Sequence, residues 1–106
     1  MIADITPQQL AEKLKGPNPP LVIDVREPYE HAYCRLEGAQ LRPLGQIRGW
    51  AKTLDPEAKV VLYCHVGERS AMATAYLQSL GFTRALNLDG GIDAWAAEVE
   101  PGMPRY

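Results

Sequence analysis

Apolar positions along this chain follow two rhythms. Leu21-Val22-Ile23-Asp24-Val25, Val60-Val61-Leu62-Tyr63 and Ala85-Leu86-Asn87-Leu88 are short, nearly unbroken apolar runs. This is the pattern of strands buried on both faces of a sheet. Gly38-Ala39-Gln40-Leu41, closed by Pro43, suggests a fourth, brief strand. Between these runs apolar residues recur at helical spacing: Ile47, Trp50, Ala51 and Leu54; Met72, Tyr76 and Leu80; Ile92, Trp95, Ala96 and Val99. The first helix carries its own start signal. Thr6 is the cap, Pro7 takes the first helical position, Gln9 closes a capping box and Ile5 is stapled to Leu10, predicting a helix to about Leu14.

Gly16-Pro17-Asn18-Pro19-Pro20 breaks that helix, and Asp55-Pro56 and Gly81 end two later ones. Glu27 to Arg35 suits a turn or short helix opened by Pro28, and Asp89-Gly90-Gly91 turns the chain tightly before the last helix. Strands alternating with helices predict an α/β fold with a mainly parallel sheet and one core. No repeat, low-complexity tract or linker divides residues 1–106, which are expected to form one domain.

Composition narrows the function classes. Apolar residues make up 46% and charged residues 23%, a globular balance. The formal net charge is -2 and Lys and Arg are scattered, so neither nucleic acid nor an anionic membrane is indicated as a partner. No apolar stretch approaches the about 20 residues that span a bilayer, and Met1 to Gln9 hold no signal peptide, so a cytoplasmic location is expected. In such a reducing compartment Cys34 and Cys64 are not expected to form a structural bridge. Cys34 reads as a small buried apolar residue.

Cys64 is different. Cys64-His65-Val66-Gly67-Glu68-Arg69-Ser70 lies between a strand and the helix from Ala71 to Leu80. The thiol therefore stands at the carboxyl end of a parallel strand, facing amide groups that open a helix. Those amides have no partner within the helix, and the aligned peptide dipoles leave about half a positive charge there. The place favours an anion, and the thiolate is the nucleophilic form of cysteine. Gly67 lets the loop curl so that its amides point inward, and Arg69 adds fixed positive charge at the rim. A thiolate in this cradle can attack the outer sulfur of a donor and hold it as a persulfide.

Four landmarks in order resemble the rhodanese-like domain family over nearly the whole chain. Leu21-Val22-Ile23-Asp24-Val25-Arg26-Glu27 with Tyr29-Glu30 resembles its first signature, and Glu37-Gly38-Ala39 the end of the next. Cys64 to Ser70 is similar to its active loop, and Leu88-Asp89-Gly90-Gly91-Ile92-Asp93-Ala94-Trp95 to its closing signature. The resemblance implies a central five-stranded, mainly parallel sheet flanked by helices. It also implies a thiosulfate sulfurtransferase or persulfide carrier with Cys64 as nucleophile and no organic cofactor or metal. Thiosulfate would be the donor and cyanide or a thiol the acceptor, with a sulfur-carrier or persulfide-donor protein as a further partner.

Two departures bear on substrate. Cys34-Arg35 replaces the usual Gly-His and resembles rhodanese domains attached to sulfur-carrier-activating enzymes, which points to a protein-bound acceptor. Glu68 adds a carboxylate that weakens capture of a dianion. Loop size separates this chemistry from its neighbours. Cysteine-dependent phosphatases and arsenate reductases use a loop one residue longer, enough to surround a tetrahedral oxyanion, whereas His65 to Glu68 alone separate Cys64 from Arg69. A binding module of the same fold is the other alternative, although a docking loop needs no thiol.

The catalytic candidates are thus Cys64 and Arg69. Substrate contacts are expected from His65, Val66, Gly67, Glu68, Ser70 and Arg26, with Tyr29 beside Arg26 on the same edge of the sheet. Asp24 intrudes in an apolar run and needs a partner, for which Arg26, Arg35 and Arg69 all qualify. A pair between Asp24 and Arg69 is favoured, as support for the loop. Trp50 and Trp95 are assigned to the core. The spacings of His31, Cys34, Cys64 and His65 are not those of a zinc site.

Overall fold

The computed structural model describes residues 3–106. Five parallel strands form one sheet in the order β1-β5-β4-β2-β3: β1 Asp4–Ile5, β2 Leu21–Asp24, β3 Gln40–Leu41, β4 Val60–Tyr63 and β5 Ala85–Leu88. Helices flank it: α1 Pro7–Lys15, α2 Pro28–Tyr33, α3 Ile47–Trp50, α4 Glu68–Ser79 and α5 Gly91–Glu98. The fold is the α/β arrangement that the sequence pattern implied. Its least conspicuous member is β1, a two-residue edge strand with no apolar run to announce it.

The strand period of two sorts the core into halves. Val60, Leu62 and Cys64 share one cluster with Ile23, Trp50, Ala73, Leu77 and Phe82. Val61 and Tyr63 share the other with Leu10, Val22, Leu36, Ile92 and Trp95. This alternation is what directs Cys64 toward α4 and not toward α5.

Local signals behave as their chemistry requires. Thr6 Oγ1 accepts from the Gln9 amide at 3.1 Å and the Thr6 amide donates to Gln9 Oε1 at 3.0 Å, completing the capping box. Trp50 and Trp95 are buried, their ring N–H groups donating to the Pro43 carbonyl and to Glu100 Oε1. The segment from Ile47 to Leu54 is not one helix. It is a single α-turn, Ile47–Trp50, followed by a 3-10 turn, Ala51–Thr53, with another 3-10 turn, Leu44–Gln46, before it, and it still buries Trp50 and Ala51.

The stripe expected on α4 is corrected. Met72 is 64% exposed and Leu80 47%, and Tyr76 only flanks the core; the buried face is Ser70, Ala73, Thr74 and Leu77. Small side chains let the first turns of α4 lie close against β4, where the loop requires its backbone to be. The helix also begins at Glu68, three residues before the apolar spacing suggests, because Gly67 caps it with φ 107°. Among the described residues no helix is long and apolar enough to cross a membrane.

Gly91 has backbone packed closely against it. Its φ is 62°, and a Cβ there would fall against the His65 carbonyl and within 2.7 Å of the Cys64 carbonyl oxygen. Backbone cannot yield as a flexible side chain can. Gly91→Ala is therefore expected to lower the unfolding free energy by about 2–4 kcal/mol, which urea denaturation would measure.

Candidate active site

The strand β4 ends at Tyr63, and the next residue places its sulfur beneath the opening of α4. Cys64 Sγ accepts from the Gly67 amide at 3.1 Å, the Ser70 amide at 3.4 Å and Ser70 Oγ at 3.3 Å. Three donors converge on one sulfur, two of them from the helix's unpaired amides. Negative charge on that sulfur is stabilised by dipoles already in place. Cys64 is also only 1% exposed and shares a buried cluster with Ala73 and Leu77.

Two of the loop's carbonyls are occupied from outside. The Ile92 amide donates to the Cys64 carbonyl at 2.9 Å, and the Asp93 amide to the His65 carbonyl at 3.0 Å. Both donors belong to the first turn of α5, brought up against the loop by Gly90 and Gly91 at positive φ. With these acceptors satisfied, the loop turns N–H groups toward the sulfur. The sequence pattern identified Asp89-Gly90-Gly91 as a turn but gave no sign that the second glycine is where two backbones meet.

The charged residues pair differently from expectation. Asp24 does not meet Arg69. It binds Arg26, with Arg26 Nε on Oδ1 at 2.9 Å and Nη2 on Oδ2 at 2.7 Å, and both side chains are wholly buried. Two positions apart across the end of β2, they lie within reach of each other, whereas Arg69 leaves the loop toward α2. The Tyr63 hydroxyl and His31 Nδ1 complete the Asp24 oxygens at 3.1 and 2.8 Å. Arg26 also donates to the Cys34 carbonyl at 2.5 Å and to the Tyr106 hydroxyl at 2.8 Å. Burial opposes its charge, but the hydrogen bonds to Asp24 and Tyr106 outweigh that and hold it more firmly protonated than a free arginine. Arg26, expected to contact substrate, is instead wholly buried with its donors taken up by Asp24, the Cys34 carbonyl and Tyr106, and Tyr29 is 75% exposed on α2.

Arg69 meets Glu30. Its Nη1 and Nη2 reach Oε1 and Oε2 at 2.7 and 2.9 Å, a bidentate pair that fixes the guanidinium plane. Glu30 also takes the Glu27 amide at 3.0 Å and the Tyr106 hydroxyl at 2.6 Å. Its carboxyl is held at about 2, from 4.5, chiefly by the hydrogen bond from Arg69; burial pushes the other way, and Tyr106 and the Glu27 amide add to the lowering.

Of the other candidates, Ser70 is fully buried on the sulfur, Val66 is half exposed, and Glu68 is exposed at the first position of α4. His65 is partly buried, stacked on the Tyr106 ring with centroids 4.0 Å apart, and among the described residues its Nε2 has no hydrogen-bond partner. Space does not single out this site. Clefts of about 500 Å³ open at the amino ends of β4 and β5 and beside Trp95, and one of about 560 Å³ opens beside Tyr33 and Arg35; Cys64 lines none of them. Convergent donors mark the site where volume does not.

A sequence profile described as a rhodanese-like domain matches residues 6–98. The chain belongs to the rhodanese-like domain family. Among its relatives, the protein named probable adenylyltransferase/sulfurtransferase MoeZ, of Mycobacterium tuberculosis, is 42% identical over 105 residues. That match covers 96% of this chain and 26% of the relative, so this rhodanese-like chain spans about a quarter of that protein's length. A sulfurtransferase of Allochromatium vinosum is 36% identical over 104 residues, covering 98% of this chain and 94% of that one. The crystal structure of a rhodanese-related protein from Thermoplasma volcanium superposes with a TM-score of 0.84 at 31% identity, over 93% of this chain and 95% of that one.

Sequence reasoning missed two groups of this rhodanese-like site, Glu30 and Tyr106. Glu30 stands within the first signature, at Tyr29-Glu30, and an acidic residue there was the available signal for a partner to Arg69. Tyr106 follows a Pro-containing tail with no periodicity, and nothing local marks it.

The Glu30–Arg69 pair has a pH signature. Because the folded carboxyl titrates below its unfolded value, its contribution is fully present above about 4.5 and is lost as the pH falls toward about 2. Glu30→Gln is expected to cost about 1–3 kcal/mol near neutrality. The difference from the parent protein, followed by urea titration in a series of buffers, should narrow as the pH is lowered from about 4.5.

Proposed function

We propose that this rhodanese-like domain is a sulfurtransferase that carries a sulfane sulfur on Cys64. The observation that carries the reading is the convergence of the Gly67 amide, the Ser70 amide and Ser70 Oγ on one sulfur. The sulfurtransferase names of relatives that match 96–98% of this chain support it.

In the first half-reaction the Cys64 thiolate attacks the outer sulfur of thiosulfate. A new S–S bond forms to Cys64, the S–S bond of thiosulfate breaks, and sulfite leaves with the bonding electron pair. The products are a Cys64 persulfide anion and sulfite, so charge is conserved. In the second half-reaction an acceptor nucleophile attacks the terminal sulfur. Cyanide leaves as thiocyanate, a thiolate leaves as a persulfide, and Cys64 returns as the thiolate. No electron is gained or lost overall and no cofactor takes part.

Placement supports the following roles. The amides from His65 to Ser70 receive the terminal sulfur's charge, with Gly67 supplying the curl and Ser70 a hydroxyl. Arg69, fixed by Glu30, offsets the charge of an arriving anion. His65 and Val66 line the rim, and Glu68 disfavours a small dianion. Thiosulfate is accordingly a serviceable donor, and a protein-bound persulfide or a sulfur-carrier protein is the partner that Cys34-Arg35 and the MoeZ relative favour.

Incubation with thiosulfate should release sulfite and add about 32 Da to the protein, the mass of one sulfur, with the added atom mapping to Cys64. Cys64→Ser should gain nothing and lose transfer to cyanide by at least about 10³-fold. A wild-type protein that gains no mass, or a Cys64→Ser variant that keeps transferring, would overturn the assignment.

A further inference from the structure

The segment from Pro101 to Tyr106 crosses the carboxyl end of the sheet and is anchored on the way. Met103 packs against the Trp95 cluster and donates its amide to the Glu100 carbonyl at 2.9 Å, and Arg105 pairs with Asp93 at 3.1 Å. These contacts deliver Tyr106 to the reactive loop. Its hydroxyl accepts from Arg26 Nη1 at 2.8 Å and donates to Glu30 Oε2 at 2.6 Å. Its ring stacks on His65 at 10° between planes and meets Tyr33 edge-on, with centroids 5.9 Å apart.

We propose that Tyr106 is a positioning residue for the reactive loop, holding Arg69 through Glu30 and His65 through its ring in the arrangement that receives an anionic sulfur donor. The proposal rests on the sulfurtransferase reading for the identity of the donor, not for the geometry.

Four contacts carry it. The Glu30 carboxylate has two oxygens: Oε1 takes Arg69 Nη1 and the Glu27 amide, and Oε2 takes Arg69 Nη2 and Tyr106. With both oxygens so engaged, the carboxylate cannot rotate without breaking a charge-assisted bond, and the Arg69 fork is locked with it. The same tyrosine lies over the imidazole of His65, the residue after Cys64. One side chain therefore bears on Arg69, through Glu30, and on His65. Burial, and next the hydrogen bond to Glu30, push its hydroxyl up to about 12, so it remains a donor throughout the range in which the protein would work. The seam between the tail and the loop, lined by Cys34, His65, Asp93 and Tyr106, is closely packed.

A cover and a positioner differ in a measurable way. A cover slows every reagent alike, whereas a positioner of Arg69 favours anions. The test is the alkylation of Cys64 by iodoacetate, which is anionic, and by iodoacetamide, which is neutral and of similar size, with peptide mapping to separate Cys64 from Cys34. In Tyr106→Phe, which keeps the ring and loses the hydroxyl, the iodoacetate/iodoacetamide rate ratio is expected to fall about 3- to 10-fold, with the iodoacetamide rate changed less than about twofold. KM for thiosulfate should rise by a similar factor with kcat within about twofold. Tyr106→Ala should lower the ratio at least as far. An unchanged ratio in Tyr106→Phe overturns the proposal, as does a Tyr106→Ala protein in which both rates rise by the same factor. The alkylation ratio needs no turnover, so a wild-type protein that takes no sulfur from thiosulfate would refute the sulfurtransferase reading while leaving this test intact.

Discussion

A charged pair sealed from water, Asp24 with Arg26, organises the functional end of this molecule. Removing two ions from water is costly, and only near-complete hydrogen bonding offsets it. Here the completion comes from far along the chain: Tyr63 at the end of the central strand, His31 and the Cys34 carbonyl on and after α2, and Tyr106 in the tail. Each partner satisfies the pair and is itself placed by it. Because α2 is tied to the pair through His31 and Cys34, Glu30 is held facing the loop, and Arg69 is held by Glu30. The electrostatics of the rim therefore rest on a contact with no exposed surface.

The cradle around Cys64 is built from backbone more than from side chains. Strand parity turns the thiol toward α4, the left-handed Gly67 starts that helix directly beside it, and small residues on α4 allow the close approach. On the outer side, α5 takes two of the loop's carbonyls with its own first amides, which is possible only because Gly91 presents no Cβ to the Cys64 and His65 carbonyls. Two helix amino termini thus serve one loop in opposite senses. That of α4 directs donors at the sulfur, and that of α5 removes the acceptors that would compete for them.

Residues that look alike in sequence take unlike roles because of depth. Arg26 and Arg69 are both arginines near the carboxyl ends of strands, yet one is wholly buried and the other sits at the rim with about a third of its side chain exposed. A buried guanidinium with its donors engaged stiffens the fold. An arginine held flat by a single carboxylate at the surface presents directed positive charge to solvent, which is a better arrangement for meeting an anion.

The amino-acid order alone determined the elements whose signals are local. The capping box at Thr6, the apolar runs of β2, β4 and β5, the strand-Cys-Gly-Arg-helix loop and its likeness to the rhodanese-like family are all contiguous, and contiguous patterns report on backbone dihedrals and helix-end dipoles. The edge strand β1, the small-residue face of α4, the partners of Asp24 and Arg69, and Tyr106 were decided only by the tertiary structure. Their energies depend on which distant groups arrive within about 3 Å in a site shielded from water, where a charge accepts the nearest saturating set of donors. Sequence spacing records which residues can carry charge; it does not record which of them the folded chain will bring together.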